Sequence, residues 1–317
     1  MVQKNFVCKG DICYSKDKNT LQTCKDGYLV CENGVSAGVF AKLPEKYQDF
    51  PLLDYTGKLI LPGFTDLHVH APQYRFRALG MDLELLEWLD THTFPQEAKY
   101  VDTDFARKNY ARFVEEMRKG PNTRGCIFGT IHRQSTEVLM ELLEEAGLCA
   151  MVGKVNMDRH SPDILRETTE ESAAETIQWL ADVAEKYPHV KPILTPRFLP
   201  SCTDELLEKL GDIQKQHHLP VQSHLSENRG EVAWVQELFP KSKHYGDAYD
   251  SFGLFGGENC PTIMAHCVLS SDDEIRLMKE RGVFIAHCPE SNTNLASGIA
   301  PARRYLTEGI HMGLGSD

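Results

Sequence analysis

Four histidines and one aspartate stand in this sequence with the spacing that metal ligands need. His68 and His70 are two residues apart in a predicted strand, so both imidazoles lie on one strand face. His224, His266 and Asp317 each end a later predicted strand. Imidazole nitrogens with a carboxylate suit Zn²⁺ or Fe²⁺ and suit Ca²⁺ or Mg²⁺ poorly. Each histidine alone is more typical of a hydrogen-bonded core residue, but the set predicts a transition-metal site.

A possible acid–base residue follows one of these candidate ligands. Glu227 lies three residues after His224, just past the predicted strand end. From there its carboxylate can reach over the mouth of the site and move protons between an activated water and a substrate nitrogen. The alternative is a charge that stabilises the N-terminus of the next helix. Beside five candidate ligands, catalysis is the favoured interpretation.

Other polar residues near this set have two interpretations each. Asp66 precedes His68 by two residues, and it either orients a ligand or is a plain polar residue at a strand start. His287 ends another predicted strand and either orients a ligand or belongs to the core. The remaining histidines are interpreted as structural or surface residues: His92, His132, His160, His189, His217, His218, His244 and His311.

The elements that must position these residues alternate after about residue 60. Apolar or β-branched runs alternate with amphipathic helical stretches, which indicates an α/β fold of the (β/α)8 TIM-like barrel type, with its active site where the strands end. An open doubly wound sheet is the alternative, but no G-x-G-x-x-G follows the first strand. The predicted strands are 64–69, 125–130, 149–155, 191–195, 220–224, 262–266, 283–287 and 311–315.

Helical spacing and cap residues define the intervening helices. Thr203 is a predicted N-cap, and Ser271 with Glu274 predicts a capping box. The predicted helices are 103–119, 135–146, 169–187, 203–217 and 271–281.

Residues 1–60 are predicted to form a small N-terminal β layer, and residues 61–317 the barrel domain. Three dipeptides typical of turns punctuate the layer, namely Gly10-Asp11, Asp26-Gly27 and Asn33-Gly34. The last two flank a run long enough for one strand of a hairpin.

Composition makes several functional classes improbable. The 317 residues carry a net charge of −12, whereas affinity for nucleic-acid polymers comes largely from Lys and Arg. No apolar run approaches the roughly 18 residues of a membrane span, and the N-terminus carries no signal-peptide core. The ten cysteines include no C-x-x-C pair and are predicted to be reduced thiols, which favours a cytoplasmic location.

Further motifs accompany the ligand pattern. Pro62-Gly63-Phe64 leads into the His68 and His70 pair, and the other candidate ligands follow in order. More specific segments lie at 70–74, 85–89, 93–95, 153–158, 195–198, 222–227 and 287–289. From about residue 55 to its last residue, the sequence resembles the amidohydrolase superfamily and, more narrowly, its guanine deaminase branch.

The resemblance implies a role for each candidate residue. It implies one zinc ion, with Fe²⁺ possible, held by His68, His70, His224, His266 and Asp317. It implies that Glu227 is the proton shuttle and that Asp317 takes a proton from the attacking water. It also implies purine-binding roles for Gln73, Arg197, Phe198 and His224. A single metal is expected because Lys154 ends the third strand, whereas binuclear relatives carry their bridging lysine at the end of the fourth.

The residues themselves leave the purine-binding roles open. Arg197 offers five fixed donors that suit the O6/N7 edge of guanine, or else it is a solvated or salt-bridged arginine. Gln73 can pair with a ring N–H beside a carbonyl, or else it stabilises a turn. Phe198 packs on a ring face or belongs to the core.

The reaction that the resemblance implies is hydrolysis of a C–N bond in a cyclic amidine, converting guanine to xanthine and ammonia in purine catabolism. The expected partner is this small-molecule substrate, with no nucleic-acid polymer and no membrane, and the full-length chain is expected to form a homodimer. The alternatives are a mononuclear amidohydrolase for another aminated or halogenated heterocycle, or a non-catalytic scaffold on the same fold.

The position of Asp317 adds one expectation about length. Asp317 is the last residue, whereas a (β/α)8 barrel has a helix after its eighth strand and the resembling family continues further. We therefore expect a C-terminally truncated chain that keeps its catalytic residues and is unstable or poorly active.

Overall fold

The computed structural model describes residues 4–17 and 19–317 of the chain. They divide into two compact units, Met1–Gly63 and Phe64–Asp317. The division falls at Gly63, whereas the predicted boundary is residue 60. The parts of the predicted N-terminal layer at residues 1–3 and 18 lie outside the described residues.

The N-terminal unit is a four-stranded sheet with the strand order β3-β2-β1-β4. Strand β1 pairs antiparallel with β2 and parallel with β4, and β2 pairs antiparallel with β3. Asn33 and Gly34 have φ values of 55° and 83°, so the predicted turn there is confirmed as a hairpin turn with left-handed residues. The strands are β1 (Phe6–Asp17), β2 (Thr20–Glu32), β3 (Val35–Phe40) and β4 (Leu52–Ile60).

The other two predicted turns of this layer are wrong. Gly10-Asp11 lies inside β1 and Asp26-Gly27 lies inside β2. The β1–β2 register shifts just after Gly10, and Asp26 has a φ of 51°. A β-bulge inserts an extra residue without ending the strand, and the left-handed residue Asp26 lies at this irregularity, so the dipeptides bend the strands instead of forming turns.

The second unit is the predicted (β/α)8 barrel, and its strands lie close to their predicted positions. Every strand pair within it is parallel, with the orders β5-β6-β7-β9, β8-β10 and β11-β12-β13-β14. The strands are β5 (Phe64–His70), β6 (Asn122–Phe128), β7 (Cys149–Gly153), β8 (Val155–Asn156), β9 (Val190–Pro192), β10 (Thr195–Pro196), β11 (Val221–Leu225), β12 (Thr262–His266), β13 (Phe284–His287) and β14 (Met312–Leu314).

Short backbone contacts join these sheets. Leu194, between β9 and β10, forms an isolated parallel bridge with Val221 at the start of β11. At the other junction, the N–H of Asp317 donates to the carbonyl of His68 at 2.8 Å, which links the segment after the last strand to the first. The two candidate ligands are therefore adjacent in the backbone hydrogen-bond network.

The helices match the predicted ones and add several short segments. The predicted helix 169–187 ends earlier, at Val183. The helices are α1 (Leu85–Trp88), α2 (Phe94–Glu97), α3 (Thr103–Lys119), α4 (Arg133–Glu145), α5 (Thr169–Val183), α6 (Asp204–His217), α7 (Arg229–Leu238), α8 (Tyr245–Ser251), α9 (Asp272–Arg281), α10 (Pro289–Asn294) and α11 (Ala302–Glu308). A π-helical turn, Leu89–Thr93, joins α1 to α2, and a 3-10 turn, Ala71–Phe76, follows β5.

Cap residues confirm the two predicted N-caps, Thr203 and Ser271. Thr203 accepts the N–H of Leu206, and Ser271 accepts the N–H of Glu274. The second half of the predicted Ser271 capping box is wrong, because the Glu274 carboxylate accepts from Ser226 Oγ and from the Gly246 N–H, each at 2.7 Å. Buried polar groups need hydrogen-bond partners, and the Glu274 carboxylate finds its donors in the core instead of at the helix start.

The sequence also predicts reduced cysteines and no membrane span. Cys8, Cys126, Cys202 and the other cysteines of the described chain have free thiols. Within residues 4–17 and 19–317, no helix combines the length and apolarity that crossing a membrane requires.

Candidate active site

The barrel brings candidate ligands from distant parts of the sequence to one edge. His68 lies on β5, His224 on β11 and His266 on β12, while Asp317 follows β14. The carboxyl ends of parallel barrel strands meet at one face, which is where barrel active sites form. One ligand atom from each of these four residues lies within 4.8 Å of the others.

His70 lies beside this group of four. Its Nε2 is 3.1 Å from Nε2 of His224 and 3.4 Å from Oδ1 of Asp317. Among the described residues, the group whose ligand atoms all lie within 4.8 Å of one another comprises only the other four. The role of His70 as a fifth ligand stays a prediction. We call His68, His70, His224, His266 and Asp317 the histidine–aspartate cluster.

Neighbouring groups fix the orientation of two imidazoles. Nδ1 of His224 is 2.6 Å from the carbonyl oxygen of Arg197, and Nδ1 of His266 is 2.8 Å from Oδ1 of Asn292. A carbonyl oxygen only accepts, so each Nδ1 is assigned the proton and each Nε2 keeps its lone pair. This is the tautomer that a metal bound through Nε2 requires.

The buried Nε2 atoms provide a test of whether a metal fits. Within the described part of the chain, Nε2 of His68 and Nε2 of His266 have no hydrogen-bond partner. Oδ1 of Asp317 lies 3.0 Å from Nε2 of His68, and Oδ2 lies 3.8 Å from Nε2 of His266. Buried polar atoms without partners are costly, and a cation at the centre of this donor set would satisfy them together with the carboxylate. The residues fit a transition metal.

Electrostatics favour the protonation states that metal binding needs. Burial lowers the pKa of His68, although the Asp317 carboxylate partly opposes this shift. Burial and neighbouring histidines hold the pKa values of His70 and His224 well below the usual range. Burial raises the pKa of Asp317, but the imidazoles of His68, His266 and His70 outweigh it and hold this pKa well below its usual range. Neutral imidazoles beside a carboxylate are the ligand forms.

Asp66 acts on the segment that carries Asp317. Its carboxylate accepts the Ser316 N–H at 3.0 Å and the Ser316 hydroxyl at 2.6 Å. It also accepts the N–H of His68 at 3.3 Å. Of the two interpretations from the sequence, this geometry supports the one in which Asp66 orients ligands, here through the backbone. Ser291 completes the arrangement by donating to Oδ2 of Asp317 at 2.6 Å.

Glu227 lies beside the cluster with its side chain buried. Its Oε2 is 3.4 Å from Nε2 of His266, and its Oε1 accepts from Ser297 Oγ at 3.4 Å. Burial raises the pKa of Glu227 well above its usual range, and the carboxylates of Glu231 and Asp317 add to this. A carboxyl group with a raised pKa can both hold and release a proton near neutral pH.

Glu231 is a site residue that the sequence reasoning missed. Its Oε2 accepts the N–H groups of Glu227 and Asn228 at 3.0 and 3.2 Å, and its Oε1 accepts the hydroxyl of Tyr245 at 2.8 Å. Asn228 and Glu231 form the capping box of α7. Glu231 therefore serves the helix start, the role that was the alternative for Glu227. The N-x-x-E spacing at 228–231 was the signal that would have identified it.

One cavity joins the cluster to the predicted purine-binding residues. It contacts Glu227, Gln73, Arg197 and Phe198. Its other lining residues are His70, Leu85, Trp88, Leu89, His224, Glu231, His266, Leu295 and Asp317. The predicted catalytic and substrate-binding residues thus lie around a single space.

Arg197 enters this cavity as half of a buried ion pair that the sequence did not reveal. Its Nη1 donates to Oε2 of Glu97 at 2.6 Å, and its Nη2 donates to Oε1 at 3.2 Å. Nε2 of Gln73 donates to the same Oε1 at 3.4 Å. Arg197 is therefore both salt-bridged, which was the alternative interpretation, and located at the cavity, as the purine-binding interpretation requires. We call Gln73, Glu97 and Arg197 the recognition group.

Lys154 has a partner elsewhere. Its Nζ lies 2.8 and 2.9 Å from the two carboxylate oxygens of Glu167, and burial lowers its pKa. His287, whose pKa burial lowers, lies outside the four-residue group found among the described residues. The role of His287 stays open.

Known protein families and structures resemble this chain in sequence and fold. The model of the Amidohydrolase family matches residues 59–317. The chain belongs to the amidohydrolase family. This family and the His3Asp group together imply a mononuclear metal site.

Individual amidohydrolase relatives are guanine deaminases. The chain is 42% identical over 295 residues to guanine deaminase of Dictyostelium discoideum, with 92% of this chain and 62% of that protein covered. It is 44% identical to the Mus musculus enzyme over 263 residues, with 82% of this chain and 57% of that protein covered. The chain thus spans less than two thirds of the length of these relatives.

A solved structure shows the same fold. The crystal structure of guanine deaminase from C. acetobutylicum with guanine bound in its active site superposes with a TM-score of 0.96 at 46% identity. The match covers 99% of this chain and 74% of that one.

Proposed function

We propose that this chain carries a zinc-dependent guanine deaminase site that converts guanine and water to xanthine and ammonia. The observation that carries the proposal is one cavity lined by four residues of the histidine–aspartate cluster, by Glu227 and by two residues of the recognition group. The cluster residues in that lining are His70, His224, His266 and Asp317. A relative supports the proposal, because guanine is bound in the active site of a protein that is 46% identical to this chain.

Zinc is the metal that the donor set favours, with Fe²⁺ as the alternative. His68, His224, His266 and Asp317 would hold it, with His70 as the predicted fifth ligand. When bound, the metal supplies Lewis acidity that makes a water nucleophilic near neutral pH.

The chain's own carboxyl groups move the protons. Asp317, whose pKa is held well below the usual range, is ionised and accepts a proton from the attacking water at Oδ1 or Oδ2. Glu227, whose pKa is raised, donates a proton to ring N3 so that C2 becomes electrophilic. The carboxylate of Glu227 then takes the remaining proton of the hydroxyl group added at C2 and passes it to the departing amine, so that the C2 carbonyl forms and ammonia leaves. The proton held by Asp317 restores the acid form of Glu227.

The other side of the cavity orients the base. Arg197 donates toward O6 of the purine, and the amide of Gln73 pairs with the adjacent ring N–H. Phe198 is buried at the end of the fourth barrel strand and packs against the ring face. His224 serves twice, because it lines the cavity and belongs to the cluster.

The experiment that tests this proposal is Glu227→Gln with ammonia release and metal content measured together. The variant keeps the shape of the side chain but has no proton to shuttle, so turnover should fall by at least about a hundredfold with metal still bound. Glu237→Gln, an exposed substitution on the following helix α7, is the control and should keep wild-type turnover. Wild-type turnover in Glu227→Gln would reject the assignment.

Substrate range is tested by comparing ammonia release from guanine, adenine, cytosine and 8-oxoguanine. We expect guanine to be preferred; a preference for another heterocycle would identify a different amidohydrolase activity. The cytoplasmic location and the homodimer stay predictions from the sequence and its resemblance.

A further inference from the structure

Glu97 holds a buried arginine in a fixed plane without facing the cavity itself. The carboxylate of Glu97 binds both terminal nitrogens of Arg197, and each side chain is 3% exposed or less. The ring of Phe94, on the same helix α2, lies 5.3 Å from the guanidinium carbon. A bidentate carboxylate and an aromatic ring leave the planar guanidinium little rotational freedom. Its remaining N–H groups are therefore presented in a fixed direction.

Glu97 also determines which end of the Gln73 amide faces it. A carboxylate accepts hydrogen bonds and donates none, so the Nε2 of Gln73 must lie toward Glu97, as the 3.4 Å contact shows. The Oε1 of Gln73 is then left for other partners. Gln73 and Arg197 both line the cavity. The contacts to Glu97 leave an acceptor free on Gln73 and N–H donors free on Arg197.

We propose that Glu97 is a positioning residue that makes the cavity selective for 6-oxopurines. A 6-oxopurine carries an acceptor, O6, beside a donor, N1–H, which matches a donor from Arg197 beside an acceptor from Gln73. Adenine presents the reverse, a donor amine beside the acceptor N1. The inference rests on the proposed function, and it also gives a role to Phe94, which packs on the same guanidinium.

The contacts of Glu97 determine how it acts. Among the described residues, the lining of the cavity does not include Glu97. It therefore works through Gln73 and Arg197. In Glu97→Gln, the new amide can accept from Arg197 with its oxygen and donate to Gln73 with its nitrogen. Gln73 would then turn and present its own N–H groups to the cavity, where they oppose N1–H of the purine.

The test measures binding of hypoxanthine and adenine to the metal-loaded wild-type chain and to Glu97→Gln. Hypoxanthine carries the O6 and N1–H edge but no 2-amino group, so binding is read without turnover. We expect wild type to favour hypoxanthine, and Glu97→Gln to lose at least about tenfold of that preference. The metal content should be the same in both proteins.

A matched control separates recognition from the loss of a buried ion pair. Glu167→Gln breaks the buried Lys154–Glu167 pair after the preceding barrel strand, away from the cavity lining. It should leave the ratio of the two dissociation constants unchanged. If Glu97→Gln keeps the wild-type ratio, or weakens both purines equally, Glu97 has only a structural role and the inference is wrong.

A second variant covers the case in which Glu97→Gln does not fold. Glu97→Asp keeps the charge, but its carboxylate is one methylene shorter and does not reach Arg197 and Gln73 together. We expect roughly a threefold loss of preference, and an unchanged ratio in this folded variant would overturn the inference. Ammonia release from guanine by wild type is measured separately, so absence of turnover with intact hypoxanthine preference would reject the proposed function alone.

Discussion

The two sides of the cavity are built in different ways. The histidine–aspartate cluster lies at strand ends, and backbone groups fix it, such as the Arg197 carbonyl on His224 and the His68 carbonyl on the Asp317 N–H. The recognition group instead depends on a side-chain pair, in which Glu97 of the short helix α2 reaches Arg197 after β10. Strand ends and several partners, among them the side chains of Asn292 and Ser291, therefore position the metal side, whereas one carboxylate positions the purine side.

The backbone also connects the two sides. Arg197 contributes its carbonyl oxygen to the orientation of His224 and its guanidinium to the recognition group. A side-chain substitution at Arg197 removes the second contact and keeps the first. The two sides are thus separable by mutation, and the following variants test that separation.

The largest effect is expected from removing a ligand. His266→Ala deletes one of the four clustered donors, and metal affinity should fall by more than roughly a hundredfold, since even partners behind the ligands contribute roughly ten- to a hundredfold. Ammonia release should disappear with the metal. Competition with a chelator measures the affinity, and His311→Ala, on the exposed surface, is the control. Full metal retention in His266→Ala would show that the cluster is not the metal site.

A smaller effect is expected on the recognition side. Arg197→Lys keeps the charge but loses the bidentate geometry, so kcat/KM for guanine should fall by roughly a hundredfold. Metal content should stay at the wild-type level, because the Arg197 carbonyl still orients His224. The exposed change Arg107→Lys is the matched control. Loss of metal in Arg197→Lys would show that the two sides are not separable.

Glu231 should affect proton transfer more than binding. Glu231→Gln keeps one acceptor for the N–H groups of Glu227 and Asn228 but removes the second carboxylate oxygen and the charge. We expect kcat to fall roughly tenfold with KM and metal content unchanged. Steady-state kinetics on guanine would reveal this, and a raised KM with normal kcat would place Glu231 on the recognition side instead.

The smallest expected effect concerns stability alone. Burial, with Lys154 nearby, lowers the pKa of His132 to about 4, whereas an unfolded histidine has a pKa of about 6.5. The unfolded chain therefore binds a proton first as pH falls, and stability is lost from about pH 6.5 downward until pH passes the folded pKa. From pH 7 to pH 5 this group should account for about 2 kcal/mol of the loss.

Denaturant unfolding of wild type and His132→Gln, both with metal removed, isolates that contribution. The variant should lose less stability than wild type over this pH range, while its activity with metal stays normal. Parallel pH dependence of the two proteins would mean that His132 titrates normally in the folded chain.

Sequence reasoning succeeded where strand order and spacing decide position. The i, i+2 spacing of His68 and His70 and the strand-end positions of His224, His266 and Asp317 follow directly from barrel geometry. The same logic placed the strands, because each is a short apolar run between helical stretches.

Sequence reasoning failed where tertiary contacts determine which partner a side chain binds. Glu97 lies 100 residues from Arg197, and its segment carries no apolar periodicity that sets its direction toward the barrel. Glu274 matched a capping box but turned into the core, where Ser226 and Gly246 supply donors. Asp26-Gly27 matched a turn but forms a bulge. In each case tertiary packing selected between two local options that the sequence allows.

The most direct measurement determines metal content and xanthine formation from guanine on one purified sample of this chain. We expect about one zinc per chain and equal amounts of xanthine and ammonia, with both products lost on chelation and recovered on adding zinc. Guanine turnover by the metal-free protein, or a zinc-loaded protein that forms no xanthine, would contradict the account.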